Sequence, residues 1–337
     1  MEYKKITLAA VILLVISILL YFGPALIPKN MTNVNQTTIS SNVNFTNEPL
    51  QITILTSAEC KAFCDTGLVI SEIEKRIGKV DVHVLDITNP AAPALVKNYT
   101  VNILPVYIVN ATSLEKNLNS RTLKDLVRKI NNENYVIETI ETKKGLIYGR
   151  TPTETNVIYY YTSPYTKEAV DFYTENAQLL QNFTNDYTFK YELLTMLKDQ
   201  KLYPIENGYY FSLNESRRQA CIGQLYPKWA LSYNACRNKF ISSCFAQPQA
   251  NLDFCSGNWK TCALAYTTFN VSDIEKCTET QGDALLLAMH KTASNRAINA
   301  IPTLIVNDQY IAVGQFNSSY IKEQICNLNA NATACKT

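Results

Sequence analysis

Hydrophobic and polar positions divide the chain into stretches of different character. From Ile6 to Pro28 every residue is apolar or small and none is charged, and Lys4 and Lys5 precede the run. A run of this length can cross a hydrocarbon core, which takes roughly 20 helical residues. The flanking lysines stay with the cytoplasm and send the rest of the chain outside. A cleaved signal peptide is the competing reading. The run is long for an h-region, however, and Gly23-Pro24-Ala25 makes a poor small-residue cleavage site. The pattern therefore predicts a cytoplasmic stub at 1–5 and an uncleaved anchor at 6–28. The Asn, Thr and Ser that dominate 29–49 predict a solvated tether.

Beyond residue 50 the pattern alternates between strand and helix periods. Gln51–Leu55 is β-rich, and CKAFC follows at Cys60 to Cys64. Gly67 to Ile77 places Leu68, Ile70, Ile73 and Ile77 near helical spacing. Val80–Leu85 reads as a strand, Asn89-Pro90 opens a short helix through Val96, and Ile103–Val109 is an X-Pro strand. A last helix is predicted over Thr122–Ile130. This order is a compact α/β unit with a crossover, assigned to 50–150. A second unit, 151–337, repeats it with a longer middle: strand Val157–Tyr161, then Ser163-Pro164-Tyr165-Thr166, then a helix Lys167–Leu180. Ile301-Pro302 later leads a strand through Asp308, followed by Tyr310–Val313 and a final helix from Ser318. The spacing from Ser163 to Pro302 exceeds that from Cys60 to Pro105 by about 94 residues, which predicts an inserted helical subdomain over about 180–295 rather than a structureless loop.

Composition narrows the function classes. The chain is 47% hydrophobic and 18% charged, with a formal net charge of +2. It can bury real cores, and no basic run or basic–aromatic stripe favours nucleic acid. All ten cysteines follow the apolar run. An even number in an exported chain reads as disulfides. Zinc is disfavoured because no pair of C-x2-C knuckles exists and His83 and His290 lie away from any such pattern. No metal or cofactor is implied. Cys221, Cys236, Cys244, Cys255, Cys262, Cys277, Cys326 and Cys335 are expected to be structural staples, with connectivity open among 105 pairings. Asn-X-Ser/Thr sequons at Asn30, Asn35, Asn44, Asn98, Asn110, Asn182, Asn214, Asn270, Asn317 and Asn331 are glycosylation candidates on an exported chain. The tyrosine clusters, Trp229 and Trp259 are expected in the core.

Residues 51–131 resemble thioredoxin. Cys60 stands between a strand and a helix, and Leu104-Pro105 matches the X-cis-Pro opposite the redox cysteine. The resemblance implies a nucleophilic Cys60 resolved by Cys64, with Leu104 and Pro105 binding an extended substrate. The family motif is C-x2-C, whereas this one is C-x3-C, and Ile54 stands where the family has a buried Asp. Glu59 opposes a thiolate at Cys60, while Lys61 and a helix N-terminus would favour one.

Residues 155–327 resemble DsbA-like oxidoreductases and gamma-interferon-inducible lysosomal thiol reductase, through the inserted region with NWKTC and through AIPTLIVND. By that resemblance Ile301 and Pro302 would bind substrate. Ser163, Pro164, Tyr165 and Thr166 replace C-P-x-C, so this unit has no thiol to exchange. No His–acid set at motif spacing activates Ser163. The expected fold is thus α/β: two tandem thioredoxin-like units after a transmembrane helix, the second with a cysteine-rich helical insertion. The expected function is a membrane-anchored, extracytoplasmic thiol–disulfide oxidoreductase acting on exported thiol-containing proteins. The alternative is a non-catalytic binding or chaperone protein, or a subunit of a membrane complex such as an oligosaccharyltransferase.

Overall fold

A computed structural model describes residues 48–337, apart from 118–119, 140, 206–209, 246–256, 267, 315–316 and 337. The anchor at 6–28, its tether as far as residue 47, and the sequons at Asn30, Asn35 and Asn44 lie outside the described residues. So does Cys255 and the side chain of Cys244. Among the described residues no helix is long and apolar enough to cross a membrane.

Two sheets organise the chain. In the first, β1 (Leu50–Thr56) is followed by helix α1 (Gly67–Ile77) and by β2 (Val80–Asp86), which lies parallel to β1. Helix α2 (Ala92–Tyr99) and a short β3 (Ile103–Leu104) then lead to β4 (Val106–Asn110), antiparallel to β1. The alternation of β1 sends Leu50, Ile52 and Ile54 into a core with Val69, Ile73 and Ile77 of α1, while Leu55 faces the opposite side. The buried stripe of α1 is therefore 69/73/77, and Leu68 is 56% exposed, because the helix turns one residue from the register its apolar pattern implied.

The helix expected over Thr122–Ile130 does not form. After α3 (Ala111–Lys116) the chain makes a 3-10 segment over Ser120–Leu126, then a hairpin of β5 (Val127–Lys129) and β6 (Asn134–Ile137). The Asn131 side chain accepts from the backbone N–H of Glu133 and Asn134, both at 2.9 Å, and this local turn competes successfully with helix continuation. The sheet order is β2-β1-β4-β6-β5.

The second sheet begins with β7 (Lys144–Ile147) and β8 (Val157–Thr162). Helix α4 (Lys167–Phe183) crosses over to β9 (Thr188–Leu193), which is parallel to β8. The stretch read as helical from about 180 thus opens with a sheet strand, then a hairpin of β10 (Thr195–Lys198) and β11 (Lys201–Pro204). Helices follow: α5 (Tyr210–Leu225), α6 (Ala230–Phe245), α7 (Trp259–Leu264), α8 (Val271–Thr280) and α9 (Gly282–Asn295). Disulfides tie α5 to α8 (Cys221–Cys277) and α6 to α7 (Cys236–Cys262), with Cα separations of 5.9 and 5.7 Å. Trp259 is buried as expected, but Trp229 is 41% exposed because it sits in the short turn entering α6. The chain returns as β12 (Thr303–Val306), β13 (Tyr310–Val313) and α10 (Ser318–Leu328), with Cys326–Cys335 closing the tail.

The order of this second sheet is β3-β7-β13-β12-β8-β9. Its first two strands come from residues before 150, so the halves are not side-by-side beads. One continuous core joins Leu55, Cys60, Phe63 and Leu104 to Leu146, Tyr160, Tyr310 and Ile325.

Candidate functional site

The C-terminal end of β1 delivers the cysteine turn. The Cys60 N–H donates to the Ser57 carbonyl at 3.0 Å, and the Ala58 N–H donates to Asp86 at the end of β2 at 3.1 Å. Hydrogen bonds from the Thr88 hydroxyl and N–H hold the Asp86 carboxyl below its usual range, so the pin is anionic. The Ala58–Cys64 segment is 3-10 in character and broken at Lys61, which has φ 49°. Cys60 consequently sits in a kinked turn, not in the first turn of an α-helix; α1 starts only at Gly67. The expected support of a thiolate by a helix N-terminus is missing there.

Cys60 and Cys64 form a disulfide with Cα atoms 5.3 Å apart, so the C-x3-C spacing does close. The two sulfurs lie 3.5 and 3.2 Å from the carbonyl oxygen of Leu104. The Leu104–Pro105 and Ile301–Pro302 peptide bonds are both cis. Cysteine turn and X-Pro turn, 40 residues apart at closest approach, therefore meet as the sequence implied.

Accessibility does not favour the implied roles. Cys60, expected to be the nucleophile, is 0% exposed, whereas Cys64 is half-buried. The cover is built from residues that no motif pointed to. Phe63 packs on Tyr310, with ring centroids 5.1 Å apart, and the Tyr310 hydroxyl donates to the Glu59 carbonyl at 3.1 Å. On the other side β3 pairs with β7, matching Ile103 to Ile147 and Leu104 to Leu146. The hint in the sequence was Gly145, the first glycine of the KKGLIYG stretch, since a glycine inside a strand often marks close backbone approach.

The second motif is more deeply enclosed. Ser163, Pro164 and Tyr165 are buried and Thr166 is the half-buried N-cap of α4. Pairing of Thr303 with Tyr161 brings Pro302 to the end of β8 that leads into Ser163. Over the motif lies a buried ionic cluster. Arg237 of α6 donates to both carboxylate oxygens of Glu215 of α5, at 3.0 and 3.2 Å, and to the Tyr165 hydroxyl at 3.5 Å. Burial pushes the Glu215 carboxyl up, but the guanidinium groups of Arg237 and Arg218 outweigh it and hold the carboxyl down at about 2. Ile301 lines a separate hollow of about 890 Å³ with Met196, Leu197 and His290.

A parallel strand pair joined by a crossover helix and an antiparallel X-Pro strand make a thioredoxin-like fold, with a disulfide at the end of the first strand. Solved structures similar to the chain include reduced DsbA1 from Neisseria meningitidis, at 14% identity and a TM-score of 0.39, covering 56% of this chain and 92% of that one. They also include the oxidoreductase NmDsbA3 from Neisseria meningitidis, at 15% identity and a TM-score of 0.37, covering 56% and 93%. A DsbA disulfide interchange protein from Klebsiella pneumoniae, at 11% identity and a TM-score of 0.36, covers 56% and 95%. No family model and no curated protein matches the chain.

Proposed function

We propose that this is a membrane-anchored, extracytoplasmic thiol–disulfide oxidoreductase of two thioredoxin-like units, acting on exported proteins through Cys60 and Cys64. The observation that carries the reading is the seating of both sulfurs on the Leu104 carbonyl at the X-Pro turn. A thiol formed there has an acceptor in place on the backbone. The second unit, with Ser163 and Thr166 in place of cysteines, is redox-inactive and serves as scaffold.

We infer the roles from exposure. A substrate thiolate attacks the half-buried Cys64 sulfur, the Cys60–Cys64 bond breaks, and Cys60 leaves as a thiolate that takes up a proton. A second substrate thiol then displaces Cys64, so the substrate dithiol becomes a disulfide and the pair gains two electrons and two protons. In the reverse direction Cys64 is the attacking thiol. Replacing Cys60 by Ser should therefore trap substrates on Cys64, and replacing Cys64 by Ser should abolish trapping. Mass spectrometry of both thiols across a graded glutathione series, with trapping in cells, tests this. If the pair never exchanges and neither variant traps, the reading fails.

The complete burial of Cys60 favours one other reading, a non-catalytic binding protein or a subunit of a membrane complex. Stable co-purification of a partner that survives loss of both cysteines is its signature.

A further inference from the structure

The Leu104 carbonyl is the hub of the cysteine site, and it is crowded from two sides. Both sulfurs lie within 3.5 Å of it. From the other side comes Gly145 of β7, with φ +143°; a Cβ added there would fall 1.7 Å from the same oxygen. No side chain fits, and the backbone conformation itself is one that L-residues rarely adopt. Strand β7 is also held along its length. It pairs with β3 through Ile103–Ile147 and Leu104–Leu146, and the Tyr148 N–H donates to the Asn102 carbonyl at 2.9 Å. Its far edge pairs with β13, whose Tyr310 closes over Phe63 and the Glu59 carbonyl.

We propose that β7 is a resident occupant of the strand position an exchanging polypeptide would take beside Leu104, so that the protein caps its own disulfide. Exchange then proceeds through an opened state in which β7 has left β3. The inference rests on the reading of Cys60–Cys64 as an exchange pair, and it specifies the regulation of that pair. A partner that peels β7 from β3, or supplies a competing strand, switches the site on.

The test uses the full chain and dithiothreitol as the probe. Its first thiolate attacks Cys64, Cys60 leaves as a thiolate that takes up a proton, and its second thiolate closes the cyclic disulfide, leaving Cys60 and Cys64 reduced. Reduction is followed by alkylation and peptide mass spectrometry in the wild type and in Gly145→Ala, which wedges a methyl group against the Leu104 carbonyl. Leu146→Ala, which removes a buried contact of the same strand, is the second variant. Integrity is checked by persistence of the buried Cys221–Cys277 bond. Weakening the hold of β7 on β3, by a backbone clash in one variant and a lost apolar contact in the other, should enlarge the open fraction and speed reduction of Cys60–Cys64 by about tenfold or more. Equal rates in wild type and both intact variants overturn the cap. If those equal rates are fast, the exchange reading still stands; if they are slow and Cys60→Ser traps nothing, the exchange reading falls as well.

Discussion

At the scale of single residues, one buried and one half-buried carboxylate carry opposite pH signatures. Glu215 ionises at about 2 in the folded chain against an ordinary 4.5. A lowered folded pKa contributes stability above the unfolded value, and that contribution drains away as pH falls from about 4.5 towards 2. Denaturation midpoints should drop across this window. Glu215→Gln should lack that acid limb and lose about 3–5 kcal/mol at neutral pH, because Arg237 is left buried without its counter-charge. Glu192 of β9 is the reverse case. Burial raises its carboxyl to about 7, and one of its oxygens has no hydrogen-bond partner. Stability is full below about 4.5 and declines as pH rises through 7. Glu192→Gln should thus stabilise by about 1–3 kcal/mol at pH 8 and have little effect at pH 4, measured by urea unfolding at both values. Neither role was visible in the sequence. Glu215 and Arg237 are distant in the chain, and only the packing of α5 on α6 removes water from both.

At the scale of elements, the cysteine-rich helices are held by crosslinks that differ in reach. Cys221–Cys277 spans 56 residues, Cys236–Cys262 spans 26 and Cys326–Cys335 spans 9. Chain entropy gives the longest loop about 4 kcal/mol and the shortest about 2.5. Cys221→Ala/Cys277→Ala should lower the thermal midpoint more than Cys326→Ala/Cys335→Ala, as read by calorimetry of both double variants. A reversed order would mean that the α5–α8 contact is held by packing alone. Disulfide bonding as such followed from cysteine number and setting, and the tail pair could be guessed from proximity. The 221–277 and 236–262 pairs could not, since α5 through α8 had to be folded together before the partners were defined. The lost helix at 122–130 is a related case: Val127 and Ile130 suit either structure, and the Asn131 turn with β6 decided for a hairpin.

At the scale of the whole molecule, all seven described sequon asparagines are exposed: Asn98, Asn110, Asn182, Asn214, Asn270, Asn317 and Asn331. Three of them also cap helices. The side-chain oxygens of Asn110, Asn270 and Asn317 accept from Ser113, Ser272 and Tyr320 N–H groups, which leaves the amide nitrogen, the atom a glycan would take, pointing elsewhere. We expect Ser272→Ala to remove a glycan at Asn270 with stability unchanged, and Asn270→Gln to remove it and cost about 1 kcal/mol through the lost cap. Glycopeptide mapping and unfolding of the two variants check this. Glycans absent from every sequon of the native protein would count against the proposed external location, and protease protection of the domains in intact cells would count against the proposed anchor and its orientation.

Residue pattern by itself was enough for the α/β alternation, the place of the cysteine turn after β1, the X-Pro strands and the loss of thiols at Ser163 and Thr166. These are local matters: side-chain period and residue chemistry are written along the chain. Which sulfur is open, what covers the other and how the halves join were decided only by the tertiary structure. Each depends on strands far apart in sequence. β3 and β7 leave the first unit to enter the second sheet, and Tyr310 arrives about 250 residues after Glu59. Burial is a property of what lies opposite a residue, and nothing beside Cys60 in the sequence names Gly145 or Tyr310.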